Sequence, residues 1–451
     1  MVGFAEYGRW FVFGMAKSGI AVSLLLARDG KRVAVSDDDP SALEKFRASD
    51  AMRAYPDIEI VEKARAAAAA AASECVVVSP GVALDHPVLM RAREAGVPVM
   101  GEIEAAYRYT RARIVGVTGT NGKSTTVGVV GALLKAGGVD VVVAGNVGTP
   151  LADIVRERDP ETLVLELSSF QLDTIDRFRV DVAVLLNVTP DHLDRYHHSF
   201  AEYSASKARI LNRAGAETYY VYNAEDRVAA SLADSHRGPL VPFSSRRRLD
   251  AGVFFEDDAM VRVWNGKREV VIRRNEFTPV GVHNLENALA SIGAAIPFDV
   301  PLDAMRKALR AYRPLPHRME LVRVVDGVAY INDSKATNVD ATAKSLESID
   351  GPVIVILGGR DKEGDFGALL PYLKSARRAV LIGEARNVIA RALAGRVDTT
   401  EASDMADAVR SARASAKPGD TVLLAPACAS FDMFKNYQER GEVFRASVNA
   451  L

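Results

Sequence analysis

A chain of 451 residues, 48% hydrophobic and 25% charged, has the make-up of a globular protein with a large core and two to four domains. A formal net charge of -1 without basic blocks excludes electrostatically driven nucleic-acid binding, and two cysteines, Cys75 and Cys428, exclude a disulfide framework and a cysteine-based zinc site while fitting a reducing cytoplasm. Glu6 and Arg9 interrupt the apolar N-terminus, so no signal peptide is expected, and no stretch reaches the roughly 18 uncharged apolar residues of a membrane span.

The first predicted unit opens with the strand-like WFVFG of residues 10–14. A glycine turn with Gly14, Ala16, Lys17, Ser18 and Gly19 leads into an apolar helix, and a second strand at 32–36 ends beside Asp37. This is the strand, turn, helix, strand, acid order of a nucleotide-binding unit. Ala16 stands where the middle glycine of GxGxxG belongs, which disfavours a full NAD site and leaves a plain strand-helix turn as the equal alternative, with Asp37 a solvated loop acid. The alanine-rich run 64–72 predicts a helix without chemistry. CVVVSPG at 75–81 predicts a buried strand ending in a turn, and 97–100 closes the unit.

The second unit begins with the strand RIVGV at 113–117 and the loop GVTGTNGKSTT at 116–126. Gly122, Lys123 and Ser124 form the GK[ST] end of a phosphate-binding loop, where backbone N–H groups cradle phosphates, lysine reaches the outer oxygens and the hydroxyl meets Mg²⁺. The strict spacing is broken: Val117 occupies the place of the first glycine, and the nearest upstream glycine is Gly119. Apolar runs at 163–167 and 182–187 predict parallel strands whose polar ends share one rim with Ser124, bringing Glu166, Asp191, His192 and Asp194 near it. Lys207 lies fifteen residues beyond His192 in a helical stretch. Taken singly, Glu166 reads as a buried-edge acid, His192 as a loop histidine and Lys207 as a surface lysine; behind a phosphate loop, Glu166 and His192 read as metal ligands. Residues 253–273 predict an antiparallel hairpin turning at Asn265-Gly266, and a helix starts at His283.

The third unit carries strand-like runs at 328–332, 353–357, 379–382 and 421–424 separated by helical segments, which predicts another mostly parallel sheet. The proline-bearing stretch 312–317 reads as the linker before it.

Together, TGTNGKS at 118–124, ELSSFQL at 166–172, NVTPDHLDR at 187–195, HNLEN at 283–287, PHR at 316–318, NDSKATN at 332–338 and SFDMFKN at 430–436 resemble the Mur ligases, and within that family its D-glutamate-adding branch. The phosphate loop departs from the usual spacing as theirs does. The matches cover nearly the whole chain, while the DNPR motif of the meso-diaminopimelate-adding branch is absent.

The resemblance implies an α/β protein of three domains. A Rossmann-like domain over 1–101 would bind the UDP-sugar, a P-loop NTPase-like domain with a mostly parallel sheet over 102–314 would bind ATP, and a Rossmann-like domain over 315–451 would bind the amino acid. It implies an ATP-dependent ligase that joins D-glutamate to UDP-N-acetylmuramoyl-L-alanine through an acyl phosphate, as a cytoplasmic monomer with no nucleic-acid partner.

By the same resemblance, ATP would meet Gly119, Thr120, Asn121, Gly122, Lys123, Ser124 and Thr125, with adenine and ribose near Asn287, Arg318 and Asp333. Ser124 and Glu166 would hold one Mg²⁺ or Mn²⁺, and His192 and Lys207 a second. An ammonium cannot ligate a cation, so Lys207 would serve as its carbamate. The UDP-substrate would meet Gly14, Ala16, Lys17, Ser18, Asp37, Ser79, Pro80, Gly81, Asn146 and Ser168. D-glutamate would meet Lys335, Thr337, Lys362 and Ser430, flanked by Phe431 and Tyr437; Lys362 alone reads as a solvated loop charge. Closure of the third domain onto the second would assemble the site.

Another amino-acid-adding Mur ligase and a folylpolyglutamate-synthase-like ligase are the nearest alternatives. A nicotinamide oxidoreductase would explain the first glycine turn but not Lys123, Ser124 and the rim acids. A nucleotide-sensing module would keep the loop without the metal set.

Overall fold

The computed structural model describes residues 7–146, 148–279, 281–313, 316–349 and 351–451. The N-terminus is described only from Tyr7 onward, and Pro314 and Leu315 of the expected linker, where the expected boundary between the second and third domains falls, lie outside the described residues.

Three sheets follow one another along the chain. The first has five parallel strands in the order Glu59–Ile60, Arg32–Ser36, Arg9–Phe13, Cys75–Val78, Val99–Gly101. Its central strands are apolar at almost every position because helices cover both faces, as a parallel sheet requires. The alanine-rich run forms the helix Lys63–Ala72, with Ala66 and Ala70 turned into the core.

The central sheet has nine strands. From one edge these are Val141–Gly145, Thr162–Glu166, Arg113–Thr118, Val182–Leu185, Tyr219–Asn223, Leu240–Ser244 and Gly252–Glu256, all parallel, followed by the antiparallel Ala259–Trp264 and Lys267–Arg273. The last two strands turn at Asn265 and Gly266, whose φ values of 49° and 74° suit the tight hairpin read from the Asn-Gly pair. The helices Lys123–Ala136 and Val282–Ala294 pack side by side over one face. On the other face, one continuous apolar core runs from Trp10 through Ile103 and Leu165 to Ala233, joining the first sheet to the second.

The third sheet has the order Glu320–Val325, Val328–Asn332, Thr421–Leu424, Val353–Gly358, Ala376–Ile382, Thr399–Glu401, antiparallel only in its first pair. The carboxyl ends of its strands Val328–Asn332, Val353–Gly358 and Thr421–Leu424 face the carboxyl rim of the central sheet, where ligands of open α/β sheets bind. Among the described residues no helix is long and apolar enough to cross a membrane.

Candidate active site

The loop after Arg113–Thr118 is held open by its neighbours. Gly119 has φ 151° and Gly122 φ 91°, and Gly122 opens the helix Lys123–Ala136 without a side-chain cap. Side chains are disfavoured at such φ values, and a Cβ on Gly122 would also collide with the Asn287 amide. Asn187 latches the loop: its carbonyl accepts from Thr120 N (2.9 Å), its Oδ1 accepts from Asn121 N (2.9 Å), and its Nδ2 donates to the Asn121 carbonyl (3.1 Å). Lys123 Nζ donates to the carbonyls of Gly119 and Thr120, both at 2.8 Å, folding back over the loop it serves. An uncapped helix start beside a half-buried lysine is built to receive an anion.

Glu166 ends its strand, as expected, and is 2% exposed. Its Oε1 accepts from Asn146 Nδ2 at 3.0 Å, while its buried Oε2 has no partner. Lys207 is no surface lysine: it is 2% exposed, and its Nζ donates to the Gly119 carbonyl at 2.8 Å and lies 4.8 Å from the Tyr203 ring centroid. Burial, reinforced by Lys123, pushes its ammonium well below the ordinary lysine range. His192 adopts a left-handed φ of 54° and packs edge-on against Phe170. Burial pushes its imidazole down to about 4 against the pull of Asp191, so it is neutral at physiological pH and free to ligate a metal.

Among the described residues no three His, Cys, Asp or Glu side chains gather as a protein-only metal site. Mg²⁺ requires no such cluster, since it keeps waters and takes one or two protein ligands alongside substrate phosphates. The partnerless Glu166 oxygen and the buried Ser124 hydroxyl fit such an ion.

The third sheet closes the rim. Lys335 Nζ donates to Ser124 Oγ at 2.7 Å, and Arg318 donates to Thr125 Oγ1 at 2.8 Å. Asn121 Nδ2 reaches Asp340 at 2.6 Å. Asp191 accepts from Asn338 Nδ2 (3.0 Å) and Lys362 Nζ (3.1 Å). Burial raises the Asp191 carboxyl, but Lys362 and His192 outweigh it and hold it at about 2. Lys362 therefore makes an interlobe ion pair, where its sequence context alone reads as a solvated loop charge.

Asn121, Gly122, Asn287, Arg318, Asp333 and Lys335 line one cleft between the lobes. Asn287 presents a buried, partnerless Nδ2 there. Lys335 thus touches the phosphate loop as well as standing 5.4 Å from the Tyr437 ring centroid. A neighbouring cavity of about 360 Å³ is lined by Asp191, Thr337 and Lys362. Ser430 is buried beside these loops, and Phe431 is 64% exposed.

In the first unit, Gly14 has φ 94°, and Asp37 accepts from Met15 N at 2.5 Å and Asp39 N at 2.8 Å, so it braces the glycine turn rather than standing free in solvent. Ser79 Oγ donates to the Gly14 carbonyl at 2.6 Å. Ala16 precedes the uncapped helix Lys17–Arg28, a second anion-receptive start, with Lys17 exposed and Ser18 half-buried there. Ser168 is occupied as the N-cap of the short helix Ser169–Leu172. Sequence reasoning missed Arg195, which stacks 3.9 Å from the Phe170 ring centroid and donates to the carbonyls of Pro80 and Val82, both at 2.9 Å, tying the His192 loop to the first lobe. It also passed over Asn187 and His283, although both stand inside motifs already singled out.

With the rim assembled, the family follows from comparison. Residues 8–101 match "Mur ligase MurD-like, N-terminal domain", 117–295 match "Mur ligase middle domain" and 317–428 match "Mur ligase, glutamate ligase domain". The chain belongs to the Mur ligase family. It is 42% identical to the UDP-N-acetylmuramoylalanine–D-glutamate ligase of Pelotomaculum thermopropionicum, over 98% of this chain and 97% of that one. It is 43% identical to the ligase of the same name from Solibacter usitatus, over 98% of each. The pseudomurein peptide ligase type C of Methanothermus fervidus shares the Mur ligase architecture, with a TM-score of 0.64 at 18% identity over 98% of this chain and 99% of that one.

Proposed function

We propose that this Mur ligase joins D-glutamate to the L-alanine carboxylate of UDP-N-acetylmuramoyl-L-alanine, converting ATP to ADP and phosphate. The observation that carries the chemistry is the meeting of Lys123, Ser124, Lys335 and the half-paired Glu166 at an uncapped helix start. The amino acid assignment is supported by relatives of that name over the whole chain.

A carboxylate is a poor electrophile, so one of its oxygens must become a leaving group. That oxygen attacks the γ-phosphorus, the bond from γ-phosphorus to the β,γ-bridging oxygen breaks, and ADP departs. Lys123, Lys335 and the helix start bind and orient the phosphates in the cleft between the lobes, where such catalysis is mostly positioning and charge stabilisation. The neutral amine of D-glutamate then attacks the acyl phosphate, and the tetrahedral adduct expels phosphate together with the carboxylate oxygen while the amine gives up its proton.

Mg²⁺, when bound, screens the triphosphate charge; Ser124 and Glu166 would hold one ion, and His192 with the carbamate of Lys207 a second. Asn287, Arg318 and Asp333 would hold the nucleoside. The two carboxylates of D-glutamate would meet Lys335, Thr337, Lys362 and Ser430, beside Phe431 and Tyr437. The first glycine turn, with Asp37, the Ser79 to Gly81 turn, Asn146 and Ser168, would hold the UDP-substrate. We assign the three functions to residues 1–101, 102–314 and 315–451 of a cytoplasmic monomer.

Phosphate release from ATP, with UDP-N-acetylmuramoyl-L-alanine and one amino acid at a time, tests this. Release is expected with D-glutamate. Release with L-alanine or meso-diaminopimelate in its place would redirect the assignment to another branch of the family.

A further inference from the structure

Arg440, in the first turn of the helix Tyr437–Asn449, is 1% exposed, and its four hydrogen bonds all go to neutral oxygens. Nε donates to Ser334 Oγ (3.0 Å), and one terminal nitrogen donates to the Ser334 carbonyl (2.8 Å). The other terminal nitrogen donates to the carbonyls of Cys428 (3.1 Å) and Ala429 (3.4 Å). Ser334 Oγ in turn donates to the Tyr437 carbonyl at 2.8 Å, closing the ring of bonds.

A guanidinium buried with no carboxylate in hydrogen-bond reach is expensive, and its loss would leave the Ser334 and Cys428 carbonyls unpaired inside the protein. Burial pulls it down to about 10, which still leaves it cationic at neutral pH. What it does uniquely is spread a planar fork of donors over two loops at once, the second of which in turn holds a third.

Those loops follow the strands Val328–Asn332, Val353–Gly358 and Thr421–Leu424. The first runs through Ser334 into Lys335 and the third through Cys428 and Ala429 into Ser430. The second is bolted to the third by paired backbone bonds between Arg360 and Ala429 (2.9 and 3.0 Å), and it runs on to Lys362. Gly359, at φ 136°, leaves no room for a Cβ, which would collide with the Ala429 carbonyl oxygen, with Cys428 Cβ and the Arg440 fork just beyond at 3.1 and 3.2 Å. Ala427 is held at a left-handed φ of 62°, a strained state for a residue with a side chain, so the surrounding bonds must enforce it.

We propose that Arg440 is a positioning residue for the amino-acid acceptor: one buried fork sets the mutual spacing of Lys335, Lys362 and Ser430, and so the fit of a short dicarboxylate. This rests on the reading of those loops as the acceptor site.

Steady-state phosphate release by Arg440→Lys and Arg440→Met, measured against each of the three substrates, tests it. The KM for D-glutamate should rise about tenfold or more, as misplacement of positioned groups by a fraction of an ångström does, with Arg440→Lys less affected than Arg440→Met. The KM for the UDP-substrate should stay within about twofold, because the first lobe is untouched, and that for ATP should rise less than that for D-glutamate, because of the phosphate-binding groups only Lys335 is shared. An unchanged KM for D-glutamate, or three constants rising in parallel, overturns the proposal. If neither variant folds, Ser334→Ala removes the hydroxyl beneath the fork. It should raise the D-glutamate KM selectively at a near wild-type melting temperature, and no selective rise overturns the proposal. A wild-type enzyme inactive with D-glutamate defeats the functional reading itself; an active one with unresponsive Arg440 and Ser334 variants defeats only this inference.

Discussion

An amine must be unprotonated to combine with CO₂, and Lys207 is placed for that: fully inside the protein, with one carbonyl partner and a cationic neighbour that disfavours a second charge. Sequence spacing alone left it a surface lysine on a helix, because a charged residue among small ones gives no sign that its helix face is covered; the resemblance supplied the role. If its carbamate is a ligand, Lys207→Ala should lose about 100-fold or more in turnover, and short carboxylates such as acetate or formate should restore part of it. Phosphate-release rates with and without added carboxylate check this, and wild-type activity in the variant would refute the role. Glu166 was legible because a polar residue closing an apolar run marks a strand end. Arg195 and Arg440 were not, since they act through backbone carbonyls distant in sequence, and such partners leave no pattern in a single chain.

Elements were legible where one physical signal dominated. The buried parallel strands Arg113–Thr118 and Thr162–Glu166, the Asn-Gly hairpin and the alanine helix all formed where expected. Strands such as Tyr219–Asn223 and Leu240–Ser244 were not singled out, because mixed aromatic and polar positions, and Pro242 inside the second, blur the apolar run. Nor does sequence disclose Glu102, which starts the helix Glu102–Tyr107 from a buried position and accepts from Ala152 N (2.7 Å) at the start of the helix Leu151–Glu157. Its other oxygen is partnerless, and burial raises its carboxyl from 4.5 to about 7. The native state therefore binds the proton more tightly than the unfolded chain does. Stability is highest below the unfolded value and falls as pH rises through about 7, by up to about 3 kcal/mol. Glu102→Gln should flatten the melting temperature across pH 5 to 8, and an unaltered slope would show that other groups set it.

At the scale of the whole molecule, the three α/β units read from the sequence correspond to three sheets, and the second and third meet across the ligand rim through Lys335, Arg318, Asn338 and Lys362. Arg195 fastens the first lobe to the same rim, so groups assigned to three substrates stand on one continuous scaffold. The partners in these cross-lobe contacts could not be read from sequence, because each joins residues more than a hundred positions apart. On this scaffold an acid is activated by phosphorylation before the amine arrives. Transfer of ¹⁸O from a labelled L-alanine carboxylate of UDP-N-acetylmuramoyl-L-alanine tests this most directly. One labelled oxygen is expected in the phosphate released per turnover and the other in the amide; phosphate free of label would contradict an acyl phosphate.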